Sequence, residues 1–303
     1  MKILITGANG FIGRNLIQDL KQSPGNELYA LSRKSFSPEG VVCLTGDVLD
    51  KPRLMELFEQ TSFDAVIHLA AITEHHQIVD NRFQTFDTNL KGTINLLECF
   101  NACCKGALFL YASTGKVYGK TNQMPITETA VTNPQNILGK SKRITEEVID
   151  FYAVPENKYL ICRIFNIYGE FQRRSFVVPT IIDQLEQPYI SLGNLKDLRD
   201  YLYIRDLCSA IMSCLDHRQA FAEVDVVNIG SGEPACVQDI LREMEQLLER
   251  KIEVCIDRSR MRSDETSVEF CDHSKLTRLT GWKPRYTLPE GLCQTLKYEG
   301  VIR

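Results

Sequence analysis

Three glycines spaced three apart, Gly7, Gly10 and Gly13, interrupt an apolar run that begins at Ile3. Apolar residues then return at helical spacing through Ile12, Leu16, Ile17 and Leu20. This pattern predicts a strand, a tight turn and a helix. Its chemistry is anion binding: without side chains the backbone can approach a pyrophosphate, whose charge is stabilised by the exposed N–H groups and positive end of the helix. An ordinary Gly-rich turn shares the triplet, but its place inside a strand–helix unit selects a dinucleotide site at Gly7, Gly10, Phe11, Ile12 and Gly13. Where a second strand should end, a carboxylate would favour a free ribose 2′-hydroxyl and an arginine a 2′-phosphate. The chain has Ser32-Arg33-Lys34-Ser35 there and no acid, so Ser32 and Arg33 favour NADP over NAD, against the plainer reading of a solvated basic edge. Asp47, in Gly46-Asp47-Val48, could hold the adenine amino group.

These residues need a scaffold, and the hydrophobic pattern supplies it. Strands are predicted at 27–32, 41–44, 65–69, 107–111 and 159–163, with helices at 53–60, 87–104 and 136–152. The alternation predicts an α/β fold with a doubly wound parallel sheet (Rossmann), whose ligands lie beyond the carboxyl ends of the strands. From about residue 166 the pattern loosens into turns, short strands and helical stretches at 207–215, 237–249 and 273–279. Residues 1–165 are expected to form the cofactor-binding domain and 166–303 a smaller, partly interleaved substrate-binding region with a soft boundary.

Composition narrows the class. The 303 residues are 44% hydrophobic, enough for a full core, and a net charge of -4 without a basic block gives no footprint for nucleic acid or an anionic membrane. No stretch reaches about 18 apolar residues, and glycine interrupts the N-terminal apolar segment too early for a signal peptide, so a cytoplasmic protein is expected. Eleven cysteines lack CxxC spacing and read as buried reduced thiols. No metal is expected, and His75-His76 read as loop histidines, because partners at ligand spacing are absent.

The motifs then accumulate in order: Gly46-Asp47-Val48, His68-Leu69-Ala70-Ala71, Asn89 with Gly92-Thr93, Ser113-Thr114 with Val117-Tyr118-Gly119, and Gly139-Lys140-Ser141-Lys142. They continue through Arg163 with Asn166-Ile167-Tyr168-Gly169, Leu198-Arg199-Asp200-Tyr201, Asn228-Ile229-Gly230 and Gly281-Trp282-Lys283-Pro284. Nearly end to end, the chain resembles the extended short-chain dehydrogenase/reductases, the NAD-dependent epimerase/dehydratase family acting on nucleotide sugars. The resemblance adds Val48, Leu69, Ala70 and Ala71 to the cofactor site. It assigns Thr114 to the sugar oxygen and Lys142 to the nicotinamide ribose, and it implies Asn166, Arg199 and Arg262 as ligands of a nucleotide-diphosphate sugar. The helices at 87–104 and 136–152 resemble the pair that forms a homodimer in this family.

One position departs from the pattern. The family's proton-moving tyrosine stands four residues before the lysine, on the same helix face, and here that residue is Leu138. Leucine moves no proton, and losing a positioned acid/base costs on the order of 10²–10⁴ in rate. Lys116, two residues after Thr114, is the leading replacement, since a desolvated lysine can act as a base near neutral pH; a surface loop lysine is the plainer alternative. Family dehydratases that retain configuration at C5 resemble Asp-Glu where this chain has Gly115-Lys116, which disfavours that mechanism, whereas inverting dehydratases of amino-sugar nucleotides resemble Thr-Asp-Lys. The expected function is NAD(P)-dependent redox at C4 of a nucleotide sugar, as reductase, epimerase or dehydratase. A catalytically silent binding module, or an inactive partner subunit, stands as the alternative.

Overall fold

β1 (Lys2–Thr6) is buried from Ile3 onward, and its alternating side chains feed two hydrophobic layers. Ile3 and Ile5 join one core cluster with Leu16, Ile17 and Leu20 of α1 (Phe11–Leu20). Leu4 joins a second cluster on the opposite face of the sheet. A parallel sheet covered on both faces requires this arrangement. In the computed structural model, which describes residues 1–73, 78, 80–260 and 267–303, the chain continues through β2 (Glu27–Ser32), β3 (Val42–Thr45), α2 (Lys51–Gln60), β4 (Ala65–His68) and α3 (Arg82–Phe86). A π-helical turn at Asp87–Lys91 leads into α4 (Gly92–Cys103), β5 (Leu108–Thr114), a 3₁₀ turn at Gly115–Val117, α5 (Ile137–Tyr152) and β6 (Lys158–Ile164).

The second half contributes β7 (Asn166–Tyr168), α6 (Val177–Asp183), β8 (Ile190–Leu192), β9 (Leu198–Tyr203), α7 (Ile204–Asp216) and β10 (Val224–Ile229). It ends with β11 (Pro234–Ala235), α8 (Val237–Leu248), β12 (Val254–Ile256), β13 (Val268–Glu269), α9 (Ser274–Thr280) and α10 (Leu288–Tyr298). Among the described residues one sheet has seven strands in the order β10-β6-β5-β4-β1-β2-β3, every neighbour parallel. The fold is thus the expected Rossmann-like α/β sheet. Its last strand, β10, comes from the second half of the chain and pairs with β6. A smaller sheet runs β11-β9-β13, with β7 also paired to β9.

Several elements differ from the sequence expectation for physical reasons. The helix expected over 87–104 is broken by the π turn, where Asn89 faces the backbone of Ile72, accepting from its N–H at 2.8 Å and donating to its carbonyl at 3.1 Å. β5 runs on to Thr114, beyond the apolar residues that marked it, because the hydroxyl of buried Ser113 is satisfied by Glu146 at 2.5 Å. Three helices were missed, α3, α6 and α10. α6 is rich in β-branched residues, whereas α10 carries a readable start signal, a capping box between Thr287 and Glu290 with proline in its first turn. All eleven cysteines are free thiols as expected, although Cys43 and Cys255 are exposed rather than buried. Among the described residues, no helix is long and apolar enough to cross a membrane, and no group of His, Cys, Asp and Glu is arranged to hold a metal ion.

Candidate functional site

At the carboxyl end of β1 the chain turns at Gly7, whose φ is +67°. A Cβ there would come within 2.7 Å of the Ala70 nitrogen, and one at Gly13 within 2.6 Å of the Ala8 carbonyl oxygen. Glycine is therefore required at both positions. Gly10 is the N-cap of α1, no side chain caps the helix, and no acid occupies its first turn. Its leading N–H groups, including those of Phe11 and Ile12, are left for an anionic ligand. A cleft of about 550 Å³ opens beside this turn, lined in part by Asn9, Gly10, Phe11 and Arg14.

β2 ends beside the turn. The Ser32 hydroxyl donates to the Lys34 carbonyl at 2.6 Å, the Ser32 carbonyl accepts from the Gly46 N–H at 3.0 Å, and Arg33 is exposed. One carboxylate oxygen of Asp47 accepts from the Leu49 N–H at 3.0 Å, which fixes this side chain in the turn that follows β3. Val48 is buried against Gly92, and its carbonyl accepts from Asn95 at 3.0 Å. Leu69, Ala70 and Ala71 follow β4 directly, and the Ala70 N–H donates to the Thr6 hydroxyl at 3.2 Å.

That hydroxyl begins a buried chain of hydrogen bonds. Thr6 Oγ1 lies 2.7 Å from His68 Nδ1, and His68 Nε2 lies 2.9 Å from Thr93 Oγ1, which itself donates to the Asn89 carbonyl at 2.7 Å. Because the Thr93 proton is already committed, His68 donates through Nε2 and accepts from Thr6 through Nδ1. Burial, helped by the charge of Lys142, pushes the imidazole down to about 3, so it is neutral in the fold. Asn89 Nδ2 donates onward to Ser141 at 3.2 Å, and the Ser141 hydroxyl donates to the Leu138 carbonyl at 2.9 Å. The turn of α5 bearing Leu138 is thereby tied back to the glycine turn.

Thr114 is the last residue of β5, and its hydroxyl accepts from the Lys116 N–H at 3.3 Å. α5 starts nearby, capped by Asn136, whose side chain accepts from the Gly139 N–H at 2.8 Å. It presents half-buried Leu138 and, one turn later, buried Lys142. Lys142 Nζ donates to the Ala112 carbonyl at 2.6 Å and lies 4.5 Å from the centroid of the Tyr111 ring. Burial pushes this amine down to about 7, with the charge of Glu146 opposing. Glu146, a further turn along α5, takes a bidentate grip from Arg163 at 3.1 and 2.8 Å. Arg163 also donates to Tyr118 at 3.0 Å, so β5, β6 and α5 are locked together beneath Thr114.

The second-half residues collect on the smaller sheet. Asn166 is in register with Tyr201, and Arg199 with Glu269, which puts these four on one face of that sheet by the two-residue period of strands. Arg199 is buried and pairs with Asp197 at 3.1 Å. Lys116 reaches this same face, with Nζ 2.7 Å from Glu269 Oε2. Arg262 and His75-His76 lie outside the described residues. The structure thus brings the glycine turn, Leu69–Ala71, Thr114 and Lys142 to the carboxyl edge of one sheet, and brings Lys116 to the strand pair that carries Arg199. Glu269 and Glu146 were missed in the sequence because their partners are 153 and 17 residues away.

The family profile described as GDP-mannose 4,6 dehydratase matches residues 4–295. The chain belongs to this family of extended short-chain dehydrogenase/reductases. It is accordingly an enzyme of the nucleotide-sugar epimerase, dehydratase and reductase class. It is 29% identical to the GDP-6-deoxy-D-mannose reductase of Pseudomonas aeruginosa, over 100% of this chain and 98% of that protein. It is 28% identical to a UDP-glucose 4-epimerase of Pisum sativum, over 95% of this chain and 93% of that one. Among solved structures it resembles RMD from Pseudomonas aeruginosa complexed with NADPH, with a TM-score of 0.85 and 28% identity over 99% of both chains.

Proposed function

We propose that this enzyme reduces the C4 carbonyl of a sugar carried on a nucleoside diphosphate, with NADP(H) preferred over NAD(H) and Lys116 in the place of the tyrosine absent at Leu138. The observation that carries the reading is the convergence of the uncapped, acid-free N-terminus of α1, Thr114 and Lys142 on one edge of the parallel sheet. Of reductase, epimerase and dehydratase, the reductase is favoured by Ser32-Arg33 at the end of β2 and by the likeness to a reductase and to an NADPH complex.

The glycine turn fits a dinucleotide, with Gly7, Gly10, Phe11, Ile12 and Gly13 at the pyrophosphate and Ser32, Arg33, Asp47, Val48, Leu69, Ala70 and Ala71 along the adenosine and nicotinamide halves. Lys142 would hold the nicotinamide ribose. A bound reduced nicotinamide supplies the hydride that reaches C4. The Thr114 hydroxyl donates to the carbonyl oxygen as negative charge develops on it. Lys116 then passes a proton from its ammonium to that oxygen, leaving a C4 hydroxyl and a neutral amine, which regains its proton from solvent through its exposed flank. Asn166, Arg199 and Arg262 would hold the diphosphate and sugar.

Residues 1–165 would carry the cofactor and 166–303 mainly the substrate, within a cytoplasmic homodimer. Phe83 of α3 and Phe151 of α5, 78% and 85% exposed, offer apolar surface for that pairing. Leu138 favours one second reading, a silent module that binds NADP(H) and nucleotide sugar without turnover. Purified protein incubated with UDP- and GDP-linked 4-keto-6-deoxy sugars and NADPH, followed by nicotinamide absorbance and product mass, tests the proposal. Consumption of NADPH with a two-hydrogen gain in sugar mass is expected. Binding of cofactor and sugars with no product throughout the panel would favour the silent module.

A further inference from the structure

Glu269 is a buried carboxylate that reaches Lys116 across 153 residues of sequence, and both ends of the contact are held rigidly. On the carboxylate side, β13 is paired with β9 at Glu269↔Arg199. The residues that follow are pinned on either side: the Phe270 carbonyl accepts from the Ile126 N–H at 2.9 Å, and the Cys271 N–H donates to Asp200 at 3.2 Å. On the lysine side, a Cβ at Gly139 would come within 2.5 Å of the Lys116 carbonyl oxygen, so the start of α5 presses directly on the Lys116 backbone. Gly115 lies against the Phe165 ring, which a Cβ there would approach within 3.1 Å.

The Lys116 side chain is 27% exposed and that of Glu269 is 7% exposed, so the carboxylate end of the pair is anchored inside the fold while the ammonium keeps a flank open to solvent. What the pair does fix is direction. It draws Lys116 from the turn after Thr114 toward the face of the small sheet that carries Arg199 and Asn166. We propose that Glu269 is a positioning residue: it holds the Lys116 ammonium between Thr114 and the face bearing Arg199, so that the proton is delivered to the C4 oxygen from a fixed side.

The inference rests on the reading of Lys116 as the proton donor, and a double-mutant cycle separates the two. Wild type, Lys116→Ala, Glu269→Ala, Glu269→Gln and the double variant Lys116→Ala/Glu269→Ala would be assayed with NADPH and the 4-keto sugar panel, with thermal midpoints recorded alongside. Lys116→Ala should lower kcat by on the order of 10²-fold or more. Glu269→Ala should lower kcat about tenfold with KM nearly unchanged, Glu269→Gln should retain more activity than Glu269→Ala, and the double variant should be no slower than Lys116→Ala alone. A Glu269→Ala loss that multiplies onto Lys116→Ala, or one confined to the thermal midpoint or to KM, would overturn the positioning role and leave the Lys116 reading intact. Normal turnover by Lys116→Ala, or none by wild type, would overturn both. Glu269→Gln, close to isosteric, keeps the test decisive where the alanine variant folds poorly.

Discussion

Lys142 Nζ donates to the carbonyl of Ala112 at 2.6 Å, two residues before Thr114 on β5. The lysine proposed for the nicotinamide ribose is therefore buried under the strand that ends in Thr114, the hydroxyl proposed for the sugar, and its amine is held down to about 7 by burial.

That burial is costly to the fold. Between pH 10.5 and about 7 the unfolded chain carries a proton on this lysine that the folded chain does not, so stability falls as pH is lowered through the window and the full cost stands below it. At about 1.36 kcal/mol per pK unit, the cost is on the order of a few kcal/mol. Lys142→Met should therefore unfold at the same or a higher temperature than wild type at pH 7, with the difference turning against the variant toward pH 10. It should also bind NADPH about 10–100-fold more weakly, as the loss of a charged hydrogen bond implies. Thermal midpoints across pH and cofactor titrations check both.

His68 acts in the opposite pH range. Its folded value of about 3 lies below the ordinary 6.5, so between these limits the unfolded chain binds a proton that the native state refuses, and stability is lost as pH falls. His68→Gln should be less stable than wild type at pH 7, having lost a well-satisfied buried group. The gap should narrow steadily as the pH is taken from 6.5 toward 3 in urea unfolding.

Leu138→Tyr tests the geometry of the missing phenol. Leu138 is half-buried in the first turn of α5, one turn before Lys142, so a tyrosine there has the family's spacing. Turnover should be unchanged or raised, by up to about 10²-fold, and a large drop would contradict a family-like pocket.

Arg33→Asp tests the cofactor preference. An acid at the end of β2 would meet a ribose 2′-hydroxyl and repel a 2′-phosphate. The KM for NADPH should rise about 10–100-fold while that for NADH stays level or falls. Equal changes for both would assign Arg33 to a solvated edge.

Six strands of the main sheet were legible from their apolar runs, but β10 was not, because it reaches its partner β6 only after the long segment 165–223 that builds the smaller sheet; the glycine turn was legible because close backbone approach permits nothing else at Gly7 and Gly13. The end of β5 was not, since Ser113 and Thr114 join the strand through their pairing with β6, and the buried Ser113 hydroxyl is satisfied by Glu146, itself gripped by Arg163, all contacts between distant segments. The same holds for Glu269: nothing local in Val268-Glu269 distinguishes a surface carboxylate from a buried partner of Lys116. Family spacing located Thr114, Lys142 and the loss at Leu138, while the carboxylates that hold the two lysines' surroundings in place emerged only from packing.

The most direct test of the account is a single-turnover reaction of the enzyme, preloaded with NADPH, against a nucleotide-linked 4-keto sugar that wild type reduces, run with Lys116→Ala beside it and followed at the nicotinamide absorbance. If Lys116 supplies the proton that Leu138 cannot, the variant should bind cofactor and sugar normally yet oxidise NADPH slower by on the order of 10²-fold or more. Oxidation at the wild-type rate would show that the proton comes from elsewhere and that Lys116 is no replacement for the phenol.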